Sequence, residues 1–334
     1  MATFLGFPFD PQIFDYTWQN AKDPTRTAIV DSGVMVEDAH IAGLVSNGSD
    51  TYSMPYYNIL DATPANYDGQ TDIPTVGLTG DECYGIVFGR EQGFEENGFV
   101  RDYNSGANPM ASIVSQVAPF WRKWDQKNLL SIIKGITAID AMKPHVISTG
   151  APIDEDTIPD AAVDALGDNA DILALAIMHS KVARALAKKQ LVEYAKYTDA
   201  QGIERQSRKI AYVDGLLTII DDGVPTTAAT SGANAKAGTY TTFLFGTGAL
   251  GHANAPLKGG NPPSEVSRDP KTNGGMNYLW MRRRETIYPY GFSFTKPATG
   301  YSGSPTTAQL EDKANWSLKA DLKTVPIMAV TTQA

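Results

Sequence analysis

Four histidines and one cysteine are the residues whose types suit metal binding or nucleophilic chemistry in this 334-residue chain. The histidines are His40, His145, His179 and His252, and their spacings include neither His-x-x-x-His nor His-x-Glu. The histidine patterns of zinc enzymes are therefore missing. Cys83 is the single cysteine, which excludes an intrachain disulfide and a zinc site built on several thiolates. The sequence predicts no metal site.

Two glycine-containing segments resemble motifs that hold nucleophiles or phosphates. Residues 300–304 place Ser302 in a Gly-Tyr-Ser-Gly-Ser run, which lacks the final glycine and the strand-turn-helix context of a nucleophile elbow. Residues 246–251 match Gly-x-Gly-x-x-Gly after an expected strand, but the Asn-Ala-Pro that follows does not continue as a helix that could meet a phosphate. We therefore expect turns at both places and identify no catalytic or cofactor-binding residue.

The charged residues argue against a protein that grips nucleic acid. The formal net charge is -9, whereas phosphate binding usually needs a basic surface. The acidic run near residues 154–160 lacks the spacing and glycine of a calcium loop, so we interpret it as a solvated loop. The dense basic run of Arg282, Arg283 and Arg284 has two interpretations. The three arginines form ordinary salt bridges with the more numerous acidic residues of the same chain, or they pair with acidic residues of another subunit in an assembly.

Composition indicates a folded chain with a substantial core. Hydrophobic residues make up 42% and charged residues 19%. At roughly 150 residues per domain, the length suggests two domains or one large discontinuous domain. The first ten residues lack the pattern of a signal peptide, and no apolar run approaches the ~20 residues that span a bilayer. We expect no association with a membrane.

Two segments have helical periodicity. Residues 106–140 offer Asn108 as N-cap and Pro109 in the first turn, and apolar residues recur at 3–4 spacing. They predict a helix of about 30 residues, ~45 Å long, which Pro119 would kink or divide near residue 115. Residues 169–195 have the same periodicity with His179 on the apolar stripe and basic residues largely off it, so we predict a second helix there.

Much of the remaining chain is typical of β structure. Residues 51–57 and 83–88 are β-prone and flank a loop rich in Pro, Gly, Asp and Thr, which predicts a protruding hairpin. Asp214-Gly215 signals another hairpin. We predict strands at 239–245, 286–294 and 324–331, the last two with a proline that favours an edge or a bulge. Residues 141–160 are interpreted as a connector and residues 253–275 as a long polar loop.

Aromatic side chains near the N-terminus are the candidate interface residues. Residues 1–47 look loosely structured, and their aromatics, which include Phe14 and Trp18, follow no regular period. Such an arm docks on its own domain or reaches a neighbouring subunit. Tyr52, Tyr56 and Tyr57 of the expected hairpin join the candidates, because aromatic residues commonly anchor interfaces.

Five segments, in order, resemble the major capsid proteins of tailed bacteriophages that have the Hong Kong 97-type fold. They lie within residues 166–182, 219–225, 240–251, 265–291 and 304–316. Among them are the runs Leu166-Gly167-Asp168-Asn169, Asp221-Asp222-Gly223-Val224-Pro225, Gly246-Thr247-Gly248 and Tyr288-Pro289-Tyr290-Gly291. The resemblance covers roughly residues 106 to 330.

This resemblance implies an α+β, Hong Kong 97-like capsid fold with an N-terminal arm, an extended hairpin loop, a long spine helix, and peripheral and axial domains. On this sequence the arm would be residues 1–47 and the extended loop 48–100. The peripheral domain would begin with the spine helix at 101–141. The axial domain would follow at 142–276, and the chain would return to the peripheral domain at 277–334.

The resemblance also implies a function. Such subunits form hexamers and pentamers that close into an icosahedral shell around double-stranded DNA, without enzymatic activity or cofactors. Assembly would take place in the host cytoplasm and the product would be the virion head. Partners would be copies of the chain and separate scaffolding, portal and decoration proteins. A separate scaffolding protein is expected because the short arm has no large helical segment that could serve as a fused scaffold.

Three alternatives stay open at this point. The first is an encapsulin-type compartment shell, which uses the same fold to enclose an enzyme. The second is a hydrolase that uses Ser302 or an acidic cluster. The third is another phage structural protein, such as a tail component. Under the capsid interpretation, deleting residues 61–80 is expected to leave a folded subunit that fails to make shells.

Overall fold

The longest element of the computed structural model is a helix of 29 residues, Pro109–Thr137. The structure describes residues 3–4, 7–8, 34–46, 48–57, 62–67, 69–70, 72–73, 75–97, 109–198, 204–229, 237–257 and 262–333. Its α-helices are α1 (Ala39–Val45), α2 (Pro109–Thr137), α3 (Thr157–Leu166), α4 (Ser180–Lys188) and α5 (Thr307–Glu311). Short 3₁₀ segments include Asp140–His145 and Gly167–Ile172.

The strands of the first half of the chain are β1 (Thr3–Phe4), β2 (Phe7–Pro8), β3 (Met35–Glu37), β4 (Thr51–Tyr57), β5 (Gly80–Ile86), β6 (Phe88–Asn97), β7 (Val146–Pro152) and β8 (Leu173–Met178). Those of the second half are β9 (Glu193–Thr198), β10 (Glu204–Val213), β11 (Leu216–Ile220), β12 (Thr226–Thr227), β13 (Thr239–Gly246), β14 (Leu250–Asn254), β15 (Ser264–Asp269), β16 (Met276–Pro289), β17 (Phe292–Phe294), β18 (Trp316–Leu318) and β19 (Ile327–Gln333).

Two large sheets organise these strands into an α+β fold. The first has the order β7-β19-β13-β8-β11-β10-β9, with β12 added beside β13. The second has the order β15-β16-β14-β3, and β6 pairs along the other edge of β16. Strands β4 and β5 form a separate antiparallel hairpin from Thr51↔Ile86 to Tyr57↔Gly80. The chain crosses from the first sheet to the second at the turn after β13.

The C-terminal half of α2 fills the space between the two sheets. Its apolar face packs in one core with Phe243 of the first sheet and with Phe88 and Ile287 of the second. The buried residues of that face are Leu129, Leu130, Ile132, Ile133 and Ile136. Gly135 lies where α2 crosses α5, and a Cβ there would lie 2.2 Å from the carbonyl oxygen of Leu310. The sequence periodicity of this segment therefore reflects burial on more than one side.

The opposite face of the first sheet packs against α3 and α4. Their buried residues form a second core with Ala176, Met178, Leu244, Met328 and Val330 of the sheet. Strand β8 is consequently covered on both faces, which explains its uninterrupted apolar run, Leu-Ala-Leu-Ala-Ile-Met.

Several elements agree with the sequence predictions. The long helix begins at Pro109 and the β4–β5 hairpin flanks the expected loop. Asp214-Gly215 joins β10 to β11, and Asp214 has φ 51, the left-handed region that this turn requires. The segment 246–251 contains the expected turn, which joins β13 to β14. Strand β14 itself was not predicted. Asn108 lies outside the described residues.

The predicted helix at residues 169–195 is wrong. That segment contains the 3₁₀ turn Gly167–Ile172, strand β8 and only then α4. His179 does not lie on an apolar stripe. It is the N-cap of α4, and its Nδ1 accepts a 3.1 Å hydrogen bond from the backbone N–H of Lys181. A six-residue apolar run fits a buried strand and a buried helix equally, and pairing with β11 and β13 selects the strand.

Other expectations are also corrected. Of the two effects expected of Pro119, a kink or a division of the helix, division is excluded because α2 continues through it. Residues 34–46 are not loosely structured, because α1 buries Ile41 and Val45. The connector at 141–160 contains β7 and the start of α3, and the loop at 253–275 contains the end of β14 and the whole of β15. Strand β19 is an internal strand and not an edge strand. The sheet tolerates the proline because Pro326 lies before the strand, where its missing N–H removes no hydrogen bond between strands.

Candidate subunit interface

Tyr52 is an internal residue of the hairpin and not an interface residue. Its side chain is buried, and its hydroxyl lies 2.9 Å from the hydroxyl of Thr286 on β16. Its ring lies 6.3 Å from the ring of Tyr288. Burial raises the pKa of the Tyr52 phenol well above its usual range. This tyrosine fixes the base of the hairpin to the second sheet, which corrects the sequence-based assignment.

Tyr56 and Tyr57 lie at the outer end of the same hairpin. Tyr57 pairs with Gly80 and is 75% exposed, whereas Tyr56 is half-buried. The hydroxyl of Tyr56 lies 3.5 Å from the carboxylate of Asp81. The three tyrosines therefore differ in exposure, and the two outer ones remain available for contact with another molecule.

The connection beyond Tyr57 exposes further apolar side chains that the sequence analysis missed. Tyr67 is 90% exposed, Ile73 86%, Val76 57% and Leu78 56%. Burying a side chain of this size contributes roughly 1.5–3 kcal/mol of stabilising free energy. The isolated chain lacks this contribution, because these side chains are exposed to solvent. Their signal in the sequence was weak, because single apolar residues among Pro, Gly and Thr fit no strand or helix period.

Arg283 is the central residue of a buried charge cluster between α2 and β16. Its guanidinium donates to the carboxylate of Asp125 on α2 at 2.7 Å and to the carboxylate of Glu285 on its own strand. It also lies 5.7 Å from the ring centroid of Trp121. The side chain of His252 approaches Glu285 at 3.7 Å. Arg283 therefore connects the long helix to the second sheet within one chain.

The electrostatics of this cluster follow from burial and pairing. Burial is the largest single influence on Glu285 and would raise its pKa, but the charges and hydrogen bonds of Arg283 and His252 together outweigh burial and lower that pKa below its usual range. Burial would likewise lower the pKa of Arg283, and the two carboxylates raise it instead. Arg283 and Glu285 therefore hold each other in the charged state.

Arg282 and Arg284 point to the other face of β16, as neighbours on a strand do. Arg282 pairs with Glu265 of β15 at 3.2 Å, and Arg284 donates to the carbonyl oxygens of Ser49 at 2.7 Å and Pro256 at 3.3 Å. All three arginines thus have partners within the chain. The interpretation as ordinary internal pairing accounts for these contacts, and no contact between subunits is needed to explain them.

The remaining candidates are placed as follows. Phe14 and Trp18 lie outside the described residues. Ser302 lies in an exposed loop between Gly300 and Gly303, both of which have positive φ. Among the described residues, no group of three or more His, Cys, Asp or Glu side chains is placed to hold a metal ion. Within the same residues, no helix has the length and apolarity needed to cross a membrane.

Comparison with known proteins gives one curated relative. Over 327 residues the chain is 27% identical to the major capsid protein of Bacillus phage SPP1, and the alignment covers 96% of this chain and 93% of that protein. No protein-family model matches the chain.

Solved structures share the fold at low sequence identity. The capsid of Ralstonia phage GP4 has a TM-score of 0.57 and 11% identity, over 91% of this chain and 90% of that chain. The capsid of cyanophage Pam1 has a TM-score of 0.56 and 11% identity, over 94% of each chain. The fold described above is therefore one found in phage capsids.

Proposed function

We propose that this chain, which is a bacteriophage major capsid protein, assembles as hexamers and pentamers into an icosahedral head that encloses double-stranded DNA. The relative from phage SPP1 aligns over almost the whole of both chains. That extent supports a shared role for the entire chain. The encapsulin-type shell, the hydrolase and the tail component are not favoured by these similarities.

The exposed apolar side chains of the β4–β5 hairpin and its connection support self-assembly independently of the similarity to the SPP1 protein. The β4–β5 hairpin and its connection expose Tyr57, Tyr67, Ile73, Val76 and Leu78 to solvent in the single chain. Large exposed apolar surface on a soluble protein usually marks a contact with another molecule. We assign these side chains to contacts with neighbouring subunits, where burial would stabilise the shell.

The architecture supports a division into the parts of a Hong Kong 97-like subunit, with adjusted boundaries. We take residues 1–33 as the arm, because residues 34–46 pack with the body of the subunit. The extended loop would be the β4–β5 hairpin with its connection, residues 48–86, because β6 pairs with β16 of the second sheet. The second sheet and α2 would form the peripheral domain. The first sheet with α3 and α4 would form the axial domain.

The net charge favours a protein that encloses DNA over one that binds DNA directly. The net charge is -9, so the chain offers little general attraction for phosphates. We propose that it encloses DNA without sequence-specific contacts, that it has a structural and non-enzymatic role, and that it resides in the virion after assembly in the host cytoplasm. Copies of the chain are its main partners. Scaffolding, portal and decoration proteins would be further partners.

The test replaces the exposed apolar side chains of the connection by serine, as Tyr67→Ser, Ile73→Ser, Val76→Ser and Leu78→Ser in one variant. These residues lie outside the four buried core clusters of the subunit, so its thermal unfolding should match that of the wild type. Shell formation should be lost. Negative-stain electron microscopy, with the chain alone and with lysate of infected cells, measures the result.

A matched control changes polar residues of the same connection, as Thr63→Ala, Asn66→Ser and Thr75→Ser, and should assemble normally. Deleting residues 61–80 should have the same effect as the serine variant. Normal shells from the serine variant or from the deletion would contradict the assignment of the loop. A wild-type chain that makes neither shells nor rings under both conditions would contradict the proposal of self-assembly.

A further inference from the structure

Two neighbouring helices present opposite charges on one outer layer of the molecule. Helix α3 exposes Asp160 and Asp164, and residues 154–171 contain no lysine or arginine. Helix α4 exposes Arg184 and Lys188, and residues 180–190 contain no aspartate or glutamate. We define the acidic stripe as Asp160 and Asp164 and the basic stripe as Arg184 and Lys188.

Both helices lie on the same face of the first sheet. Ile158 of α3 and Val182 of α4 belong to one buried core. Helix α3 contacts β19, which lies next to the edge strand β7. Helix α4 follows β8 and is tied to β13 by Lys181, whose ammonium donates to the hydroxyl of Tyr240 at 2.9 Å. The acidic helix is therefore nearer to the β7 edge, and the basic helix lies further across the sheet.

Within the part of the chain that the structure describes, the charges of the stripes are not used in ion pairs. Lys189 of the turn after α4 pairs with Asp154 at 2.7 Å, which is the ion pair that connects the two regions. Among the side chains that the structure describes, Asp160, Asp164, Arg184 and Lys188 form no ion pair. These charges are thus available for a partner outside the chain.

An exposed apolar side chain accompanies the acidic stripe. Val163, between Asp160 and Asp164 on α3, is 58% exposed. At an interface, such a side chain can pack in the apolar core while the charged residues around it form the rim. The acidic stripe therefore combines an apolar contact with directional charges.

We propose that the occupant of this surface is a second copy of the chain, with the acidic stripe of one subunit against the basic stripe of the next. The inference rests on the proposed function and specifies one contact within it. A two-fold contact of α3 with α3 would place carboxylates opposite carboxylates, which is unfavourable. Contact between unlike stripes is compatible with a two-fold dimer or with a head-to-tail arrangement. The rings of the proposed function need the head-to-tail form, which closes into a ring when the rotation between subunits allows it.

Two charge-reversed variants test the contact. The acid-reversed variant carries Asp160→Lys and Asp164→Lys, and the base-reversed variant carries Arg184→Glu and Lys188→Glu. In either variant alone, like charges meet at every contact, so the assembly rate by light scattering should fall by about tenfold or more. A control with Glu37→Lys and Lys323→Glu, both exposed and away from the stripes, should assemble as the wild type does.

Mixing the two reversed variants gives the decisive measurement. An alternating ring restores opposite charges at every contact, and alternation is possible in a ring of six but not in a ring of five. The equimolar mixture should therefore form six-membered rings and open assemblies while closed shells, which need pentamers, stay absent. Recovery in the mixture also shows that both variants are folded. The milder pair Asp160→Asn and Asp164→Asn should show a smaller loss.

The outcomes separate this inference from the proposed function. Wild-type rates for either reversed variant, or a mixture that recovers no rings and no heterotypic association by analytical ultracentrifugation, overturn the contact while the capsid role stands. A wild-type chain that assembles neither alone nor with lysate of infected cells contradicts the proposed self-assembly. Heterotypic association of the two variants still decides the contact in that case, because it is measured without shells.

Discussion

Replacing Arg283 by methionine is the sharpest test of how the long helix is held to the second sheet. The side chains of the cluster are 12% exposed for Arg283, 5% for Glu285 and 19% for Asp125. Arg283→Met would leave two carboxylates in a largely dry site without their cation. Breaking a buried pair on one side costs about 3–5 kcal/mol. We therefore expect a loss of that size in the free energy of unfolding.

Arg282→Met is the matched control on the same strand. Its pair with Glu265 is 27% and 48% exposed, and exposed pairs contribute about 0–1 kcal/mol. Both variants lose one arginine and gain one methionine, so any difference between them reports on the environment and not on the composition. Urea denaturation of the unassembled subunit at pH 7, followed by circular dichroism, gives both values.

A third variant separates the pairing from the packing. Combining Arg283→Met with Asp125→Asn and Glu285→Gln removes both carboxylate charges, and it should recover part of the loss. The reasoning would be refuted if Arg283→Met cost no more than Arg282→Met. It would also be refuted if the triple variant were less stable than Arg283→Met, because the loss would then not come from uncompensated charge.

Three further perturbations follow from the structure. Gly135→Ala should lower the free energy of unfolding by about 1–3 kcal/mol, because the new Cβ would lie 2.2 Å from the carbonyl oxygen of Leu310. Gly43→Ala in α1 should raise it by about 0.5–1 kcal/mol, because a Cβ there has nothing within 4 Å. Equal shifts of the thermal unfolding temperature in the two variants would contradict this. Tyr52→Phe should cost about 0.5–1.5 kcal/mol by losing a buried hydrogen bond, and an unchanged urea midpoint would argue against that bond. The folded-state pKa of Glu285 is lowered from 4.5 to about 2, so its contribution is complete above pH 4.5 and is lost as pH falls towards 2. Glu285→Gln should therefore show a flatter stability profile in that window, and a profile parallel to the wild type would contradict the sign.

The sequence predicted elements whose signals were local. The 29 residues of α2 follow apolar 3–4 spacing, and Asp214-Gly215 has the backbone preference of a tight turn. The hairpin around residues 58–79 followed from two β-prone runs beside a loop rich in turn residues. In each case the side chains that define the element lie within one short window, so no knowledge of distant partners was needed.

The incorrect predictions concern segments whose structure depends on contacts with residues far away in the sequence. Residues 173–178 suit a helix by spacing, but β11 and β13 supply hydrogen-bond partners on both sides. Tyr52 resembles its neighbours Tyr56 and Tyr57 in sequence. It is buried because Thr286 lies opposite its hydroxyl, 234 positions away along the chain. No local pattern encodes such a pairing, so the sequence could not separate the internal tyrosine from the exposed ones.

The same distinction applies to charge. Arg282, Arg283 and Arg284 form a conspicuous adjacent run in the sequence, but each has a partner inside the chain. Arg184 and Lys188 are less conspicuous in the sequence, and the described side chains leave them without an ion-pair partner. A subunit that assembles must keep some favourable contacts unmade until its neighbour arrives. The assembly surfaces proposed here therefore rest on charges and apolar side chains that the described fold leaves exposed, and not on the density of a motif.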